Sequence, residues 1–234
     1  MDEALEQIVE FDGVSWSRRS HRFSAVSHLS FGVGPGEQVL IRPEGLGDHL
    51  PLCELAEGLI RPDSGVVRFE GRNWEETSGG EQSRMRGHIG RVFEGQAWVS
   101  NLSVYENIAL SPRHHGTLSE TEISERVTRL ASAAGILDII SLRPDQVHRR
   151  ELLLAQWVRA FLGNPKLILL QQPAKVIRTE LHTLLLDWVR SALDGGSAVV
   201  WITSSDSLWR SSRLKSAWRF TMSNGTLEPI REDE

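Results

Sequence analysis

The sequence predicts an α/β domain on a largely parallel sheet, and three observations support this. Short apolar runs separated by turn residues fill the first third of the chain, which is typical of strands. The run at 39–41 is followed by a glycine-containing turn over 44–48 and a helical pattern over 50–59, a strand–loop–helix unit of the phosphate-binding kind. Helices then alternate with buried apolar runs, which favours a parallel sheet.

Composition limits the functional classes. A chain of 234 residues, 40% hydrophobic, can bury a full core, and we expect one domain over 1–234. The net charge of -5 argues against a nucleic-acid partner. The single Cys53 excludes an internal disulfide framework and a cysteine-based zinc cluster. The acidic start is not a signal peptide, and no apolar run approaches the ~20 residues of a membrane span. Any membrane role must therefore come through a partner.

The first half of the chain reads mainly as strands. Apolar-rich runs bounded by turn residues predict them at 8–14, 29–33, 39–41, 66–69 and 88–93. The apolar spacing over 50–59 predicts a helix, because Pro51 is tolerated in a first helical turn.

The second half alternates helices and strands. An amphipathic helix with a serine cap is predicted over 119–134. Further helices are predicted over 151–162 and 180–193, and buried strands over 167–170 and 198–202. We find no internal repeat, linker or low-complexity tract.

Four segments carry a resemblance to a known family. The chain resembles the ABC-transporter ATPase family in four sequence segments that occur in the family's order. They are 35–37 (PGE), 59–65 (LIRPDSG), 101–108 (NLSVYENI) and 159–167 (RAFLGNPKL). The resemblance implies a P-loop NTPase-like ABC ATPase fold with a mixed sheet, an antiparallel β subdomain and a helical subdomain inserted at about 95–162. The text from 101 and the helix after it look most like the ATPases of bacterial lipid transporters.

The phosphate-binding loop departs from the family pattern GxxxxGK[ST], in which backbone N–H groups, a lysine and a hydroxyl hold phosphates and Mg²⁺. The aligned stretch is 42–50 (RPEGLGDHL). It keeps Gly45 and Gly47. Arg42 stands at the position of the first glycine, Asp48 at that of the lysine, and His49 and Leu50 at the two hydroxyl positions. An aspartate in place of the lysine replaces an attraction of about 4 kcal/mol by a repulsion. We interpret the stretch as a turn; the alternative is that Arg42 or His49 contacts phosphate.

The metal-binding aspartate and the catalytic glutamate of the family are also replaced. They align with Gln171 and Gln172 after the run 167–170. An amide neither neutralises Mg²⁺ nor serves well as a general base. We interpret both as structural polar residues at a sheet end.

The remaining motifs differ too. The LSGGQ signature reads Val147, His148, Arg149, Arg150 and Glu151. Its arginines could pair with a phosphate, although a solvated helix start is the simpler interpretation. The glutamine between metal and membrane subunit aligns with Glu94, and the phosphate-sensing histidine with Ser204 or Ser205.

Part of the docking region is retained. In the family the segment 93–108 lies against the permease, and here it contains Trp98, Val99, Leu102 and Val104. These apolar residues suit a docking surface. The alternative, weighed equally, is that they pack inside the helical subdomain.

These departures lead to the prediction of a catalytically inactive subunit, a pseudo-ATPase and not an enzyme, serving a transporter structurally or as a regulator, with lipid as a candidate substrate. No cofactor is expected, and ATP with Mg²⁺ only if the site has been rebuilt. Expected partners are an inner-membrane permease and a second ABC ATPase subunit or another copy of the chain, and we expect a cytoplasmic location at the inner membrane. The alternatives are an atypical working ATPase and a free-standing regulator of an active ABC ATPase.

Overall fold

A six-stranded mixed sheet forms the centre of the chain in the computed structural model, which describes residues 7–17, 24–44, 50–95, 97–175, 177, 179–214 and 217–230. The strands are β1 (Val9–Trp16), β2 (Val26–Val33), β3 (Gln38–Pro43), β4 (Ser64–Phe69), β5 (Arg72–Asn73), β6 (Ile89–Val92), β7 (Leu167–Gln171), β8 (Ala198–Ile202), β9 (Trp218–Ser223) and β10 (Thr226–Pro229). The central order is β10-β9-β3-β8-β7-β6, with β10 antiparallel to β9 and the other neighbours parallel. A second, antiparallel sheet has the order β2-β1-β4-β5.

Helices lie mainly in the second half. They are α1 (Leu52–Ala56), α2 (Gly79–Arg86), α3 (Val104–His115), α4 (Glu120–Ala133), α5 (Arg149–Phe161), α6 (His182–Asp194) and α7 (Asp206–Trp209). The predicted α/β class with a mixed sheet, an antiparallel sheet and helices is confirmed. The division into one domain with an inserted helical subdomain stays a prediction, although α3, α4 and α5 do lie between β6 and β7 along the chain.

The central sheet separates two hydrophobic cores. Along β7, Ile168 and Leu170 pack with the helices α3–α6, whereas Leu167 and Leu169 pack with α1 and the antiparallel sheet. Side chains alternate between the faces of a strand, so a strand apolar at every position is buried on both.

Two glycines set the close contacts of this core. Gly58, at φ +60°, ends the helical turn after α1, where a Cβ would lie 2.5 Å from the Trp74 ring. This explains why α1 is shorter than the helix predicted over 50–59. At Gly90 on β6, a Cβ would lie 2.0 Å from the carbonyl oxygen of Ala160 on α5. Only glycine therefore allows α5 to lie this close to the sheet.

Two helix starts are fixed by reciprocal caps. Ser119 accepts the N–H of Glu122, whose carboxylate accepts the N–H of Ser119, which confirms the predicted cap of α4. Ser103 and Glu106 do the same at α3. Each such box contributes about 1 kcal/mol.

Candidate functional site

Polar residues from neighbouring strands meet at the carboxyl edge of the central sheet. Gln172 follows β7 and Ser204 follows β8, and these strands are hydrogen-bonded neighbours. The Oε1 atom of Gln172 accepts hydrogen bonds from the N–H and the hydroxyl of Ser204, each at 3.1 Å. Ser205 instead caps α7, accepting the N–H of Leu208. Of the two aligned serines, Ser204 is therefore the one joined to β7.

Gln172 is held in an unusual backbone conformation. Its φ is +48°, in the left-handed region that costs a non-glycine residue about 1–2 kcal/mol. Its N–H donates to the Ile202 carbonyl at 2.8 Å, and its own carbonyl accepts the Lys175 N–H at 3.2 Å. These bonds hold the turn that directs the amide side chain toward Ser204.

A buried arginine lies beside Gln171. The Nη2 atom of Arg91, on β6, donates to Gln171 Oε1 at 3.0 Å, and its guanidinium forms ion pairs with Glu54 and Glu57 around α1. The Arg91 side chain is only 4% exposed. Burial raises the pKa of Glu57, although Arg91 acts against that shift. A fixed positive charge thus faces the amide at the end of β7.

The nearby Cys53 is buried inside α1. Burial raises the pKa of its thiol to about 12, and Arg91 opposes part of that rise. A thiol so far from ionising is a packing residue rather than a nucleophile.

Arg42 is the last residue but one of β3, and its side chain is already paired. Its guanidinium forms an ion pair with Asp206 and lies 4.7 Å from the ring centroid of Trp209. The other positions singled out in the phosphate-binding loop, Gly45, Gly47, Asp48 and His49, lie outside the described residues.

A small cavity is lined by three residues that the motif alignment identified and by one further polar residue. Glu94, Arg149, Gln172 and Lys175 line it, and its volume is about 30 Å³. Lys175 Nζ lies 2.9 Å from Glu94 Oε1. The space holds about one water molecule.

The start of α5 carries the aligned signature residues. Glu151 accepts the N–H of His148 at 3.3 Å, while Arg149 and Arg150 are exposed in the first turn of this 13-residue helix. The N-terminus of a helix bears a partial positive charge. Two arginines and the helix end together present a cationic surface to solvent.

The loop before α3 is held by one side chain. Asn107 Oδ1 accepts the N–H of Val99 at 2.8 Å, and its Nδ2 lies within 3.2 Å of the carbonyl oxygens of Val99, Leu102 and Ser103. Asn107 itself is 2% exposed. We call residues 97–103 the docking loop.

The docking loop exposes only part of the predicted apolar surface. Val99 is 42% exposed, and Trp98 and Leu102 are half-buried. Val104 is fully buried in the core at the start of α3, so it is not part of a docking surface. Ser103 and Glu106 start α3 there, which turns Val104 into the core, so for this residue the alternative of packing inside the helical subdomain applies.

Sequence reasoning missed four residues that shape this site. Arg91 is the single charged residue in the run 89–93, and this isolated charge in a predicted strand could have marked it as a residue of the site. Gln156 accepts the Phe93 N–H at 2.8 Å, and Arg159 donates to the Ala97 carbonyl at 2.7 Å. With Asn107, they anchor the segment 93–103 to α3 and α5.

Within the described residues, no group of three or more His, Cys, Asp or Glu side chains could hold a metal ion. The same part of the chain contains no helix that combines the length and apolar character needed to cross a bilayer.

Relatives of this chain are ATP-binding proteins of transport systems, several of them named for import. The sulfate/thiosulfate import ATP-binding protein of Pseudomonas putida is 31% identical over 182 residues, 74% of this chain and 52% of the relative. The spermidine/putrescine import ATP-binding protein of Protochlamydia amoebophila is 25% identical over 94% of this chain and 57% of the relative. The glutamate transport ATP-binding protein of Corynebacterium efficiens is 24% identical over 77% and 74%. The chain thus spans a little over half the length of several relatives, and no family model matches it.

Solved structures share the fold. An ATP-binding subunit of an ABC transporter superposes with a TM-score of 0.82 at 18% identity, covering 97% of this chain and 90% of that one. A bacterial ABC transporter cassette solved as a dimer gives 0.81 at 18% identity, covering 95% and 99%. The expected ABC ATPase fold is confirmed.

The prediction that the chain is not an enzyme is wrong. Its relatives across most of its length are named as ATP-binding proteins of transport or import systems, and the ATP-binding subunits of ABC transporters form a family of ATPases.

Proposed function

Because the chain belongs to the ATP-binding subunits of ABC transporters, we propose that it is an atypical ATP-binding subunit of a membrane transporter, which docks on a permease and contacts ATP through residues other than those usual in the family. The lipid substrate suggested by residues 101–108 stays a prediction, because the relatives are named for glutamate, sulfate and polyamine transport.

The docking loop is the observation that carries the proposal. Asn107 holds its backbone by accepting the Val99 N–H at Oδ1 and by placing Nδ2 within 3.2 Å of three carbonyl oxygens, while Val99 remains 42% exposed at its surface. An apolar side chain on a backbone fixed in advance costs little conformational entropy on binding. This combination suits a permanent protein interface.

ATP is expected to meet the exposed start of α5. Arg149 lines a small cavity together with Gln172 and Lys175, so it lies beside the carboxyl end of β7. Arg149 and Arg150 are exposed at a helix N-terminus, where both the side chains and the backbone attract anions. A nucleotide there would be shared with a second ATP-binding subunit, which supplies the other half of the site.

ATP binding to the purified chain, measured by calorimetry with and without Mg²⁺ and with and without its second subunit, tests this proposal. We expect Arg149→Gln with Arg150→Gln to weaken binding by about tenfold or more, since each lost charge contact is worth about 1.5–3 kcal/mol. Arg190→Gln, at an exposed arginine on α6, is the matched control. No binding at millimolar ATP under any of these conditions refutes the ATP contact.

Permease docking is tested separately by co-purification from membranes. Val99→Asp places a charge in the docking loop without touching the core, and we expect it to abolish capture of the permease. Asn101→Asp, at an exposed position of the same loop, is the control. Equal capture by both variants would remove the docking loop from the interface.

A second candidate function is to hold the transporter complex together. It is favoured by the internal pairing at the sheet edge, where Lys175 binds Glu94 and Arg42 binds Asp206. A complex that assembles normally with the Arg149 and Arg150 double variant but loses transport would favour the ATP-linked role; a complex with unchanged transport would favour this second candidate.

A further inference from the structure

A second, larger cavity lies at the amino edge of the central sheet, where β7 and β8 begin. Its volume is about 500 Å³, which is within the range of small-molecule sites. It is lined by residues of α4, of the end of α5 with the turn after it, and of α6, and by Lys166 and Ser197, which directly precede β7 and β8. We call it the amino-edge cavity. The length of β7, about 17 Å, separates it from Gln172 at the other edge.

The backbone around the amino-edge cavity is fixed by internal hydrogen bonds. The N–H of Lys166 donates to the His88 carbonyl at 2.8 Å, and the Lys166 carbonyl accepts the N–H of Ala198 at 2.8 Å. The hydroxyl of Ser197 donates to the Pro165 carbonyl at 2.6 Å. The cavity is therefore preformed, and a ligand would bind without the cost of ordering this backbone.

The lining combines two aromatic rings with two basic side chains. Phe161 and Trp188 pack edge to face with their ring centroids 5.6 Å apart, and both remain half-buried. Arg129 and Lys166 are exposed and line the same cavity. None of the described residues that line it is acidic. This composition favours an anion that carries an aromatic body.

The polar groups of this lining are not used by the fold. Among the described residues, neither Arg129 nor Lys166 forms an ion pair, and the indole nitrogen of Trp188 donates no hydrogen bond. Glu125, one turn before Arg129 on α4, is not within ion-pair distance of it. By contrast, Arg126 on the same helix donates to a backbone carbonyl of the turn after α5 at 3.4 Å. Two cations and an indole donor are thus available to a ligand.

The backbone at this edge favours a carboxylate over a phosphate. Phosphate sites commonly use several backbone N–H groups that have no other partner. Here the N–H groups of residues 195–197 already donate to carbonyls at the end of α6, and the N–H of Lys166 donates to His88. A carboxylate needs fewer donors, and the guanidinium of Arg129 can bind both of its oxygens at once.

We propose that the amino-edge cavity binds a small aromatic carboxylate. The carboxylate would accept hydrogen bonds from Arg129 and Lys166, while the ring packs against Trp188 and Phe161. The inference goes beyond the proposed function and is independent of it, because this site requires neither ATP nor a permease.

Titration with 3-phenylpropionate tests the site. The indole ¹H–¹⁵N signals of the full chain are followed against sodium chloride at equal ionic strength, and Trp188→Phe identifies one of the eight signals. We expect a selective and saturable shift of the Trp188 signal. The neutral 3-phenylpropanamide keeps the ring without the charge and should bind about tenfold more weakly. No selective shift, or equal binding of the acid and the amide, overturns the inference, and tighter binding of phenyl phosphate overturns the choice of a carboxylate.

Variants of the lining locate the effect. The double variant Arg129→Gln with Lys166→Gln should bind 3-phenylpropionate about tenfold more weakly, whereas Arg190→Gln, on α6 but outside the lining, should bind it as the wild type does. Ser191→Phe, at an exposed lining position of α6, should fill the cavity and abolish the Trp188 shift; it replaces the double variant if thermal unfolding shows that the latter does not fold. Unchanged affinity in either folded variant overturns the inference.

Discussion

Replacing Arg91 by methionine should expose how strongly the buried ion cluster supports the fold. The variant removes the guanidinium but leaves Glu54 and Glu57, whose side chains are 17% and 12% exposed. It also removes the hydrogen bond to Gln171. Breaking a buried ion pair from one side typically costs about 3–5 kcal/mol, because the remaining charge is left uncompensated. We therefore expect the free energy of unfolding at pH 7 to fall by about 3–5 kcal/mol.

The loss should shrink in acid. Burial already raises the pKa of Glu57, and removing Arg91 takes away the charge that opposes this rise. A carboxyl whose pKa is raised in the folded state binds more protons there than in the unfolded state, so lowering the pH stabilises the fold relative to neutral pH. The deficit of Arg91→Met relative to wild type should therefore be smaller at pH 5 than at pH 7.

Urea unfolding at both pH values measures these effects. The control is Arg190→Met, at an arginine 77% exposed and 3.9 Å from Asp194, which should cost at most about 0.5 kcal/mol. The triple change Glu54→Gln, Glu57→Gln and Arg91→Met should recover much of the loss, since it leaves no charge in this buried cluster. A deficit of Arg91→Met below about 1 kcal/mol at pH 7, or one that grows in acid, would refute the reasoning.

Three further outcomes are expected. Asn107→Ala should release the docking loop and destabilise the chain by about 2 kcal/mol, since buried backbone groups lose their partner; hydrogen exchange at the Val99 amide measures this, and Asn101→Ala should leave it slow. Gly90→Ala should cost about 3 kcal/mol in thermal unfolding, because its Cβ would lie 2.0 Å from the Ala160 oxygen; a near-neutral result would contradict the close contact of α5 with β6. The thiol of Cys53, with its pKa raised to about 12, should react with an alkylating reagent at pH 8 only as fast as the protein unfolds, so alkylation that is independent of added urea would count against its burial.

Buried strands were the most predictable elements. The runs 167–170 and 198–202 are apolar at every position, and β7 and β8 match them to within one residue. Burial on both faces leaves no position for a polar residue, so the pattern is unambiguous.

Elements with weaker apolar patterns were missed. Helix α2 contains Gly79 and Gly80 and buries only Met85. The hairpin of β9 and β10 turns at Asn224 and Gly225, a turn signal that was present in the sequence but not used.

The partners at the site could not have been read from the sequence. Which residue binds Gln172 depends on the register of β8 against β7, and Arg91 meets Gln171 across 80 positions of the chain. Motif alignment located these residues on the sheet edge, but only the fold shows that their polar atoms are bonded to one another.

The close contact at Gly90 holds α5 against β6 near the C-terminal end of the helix, so a small rotation at this contact displaces the N-terminal end further. Arg149 lies at one end of this helix and Arg159 near the other, ten residues or about 15 Å apart along a rigid rod. Because β6 contacts α5 at Ala160, near the C-terminus of the helix, almost the whole length of α5 lies between this contact and Arg149. A tilt of a few degrees at this contact therefore moves Arg149, for which we propose a nucleotide contact, by about 1 Å.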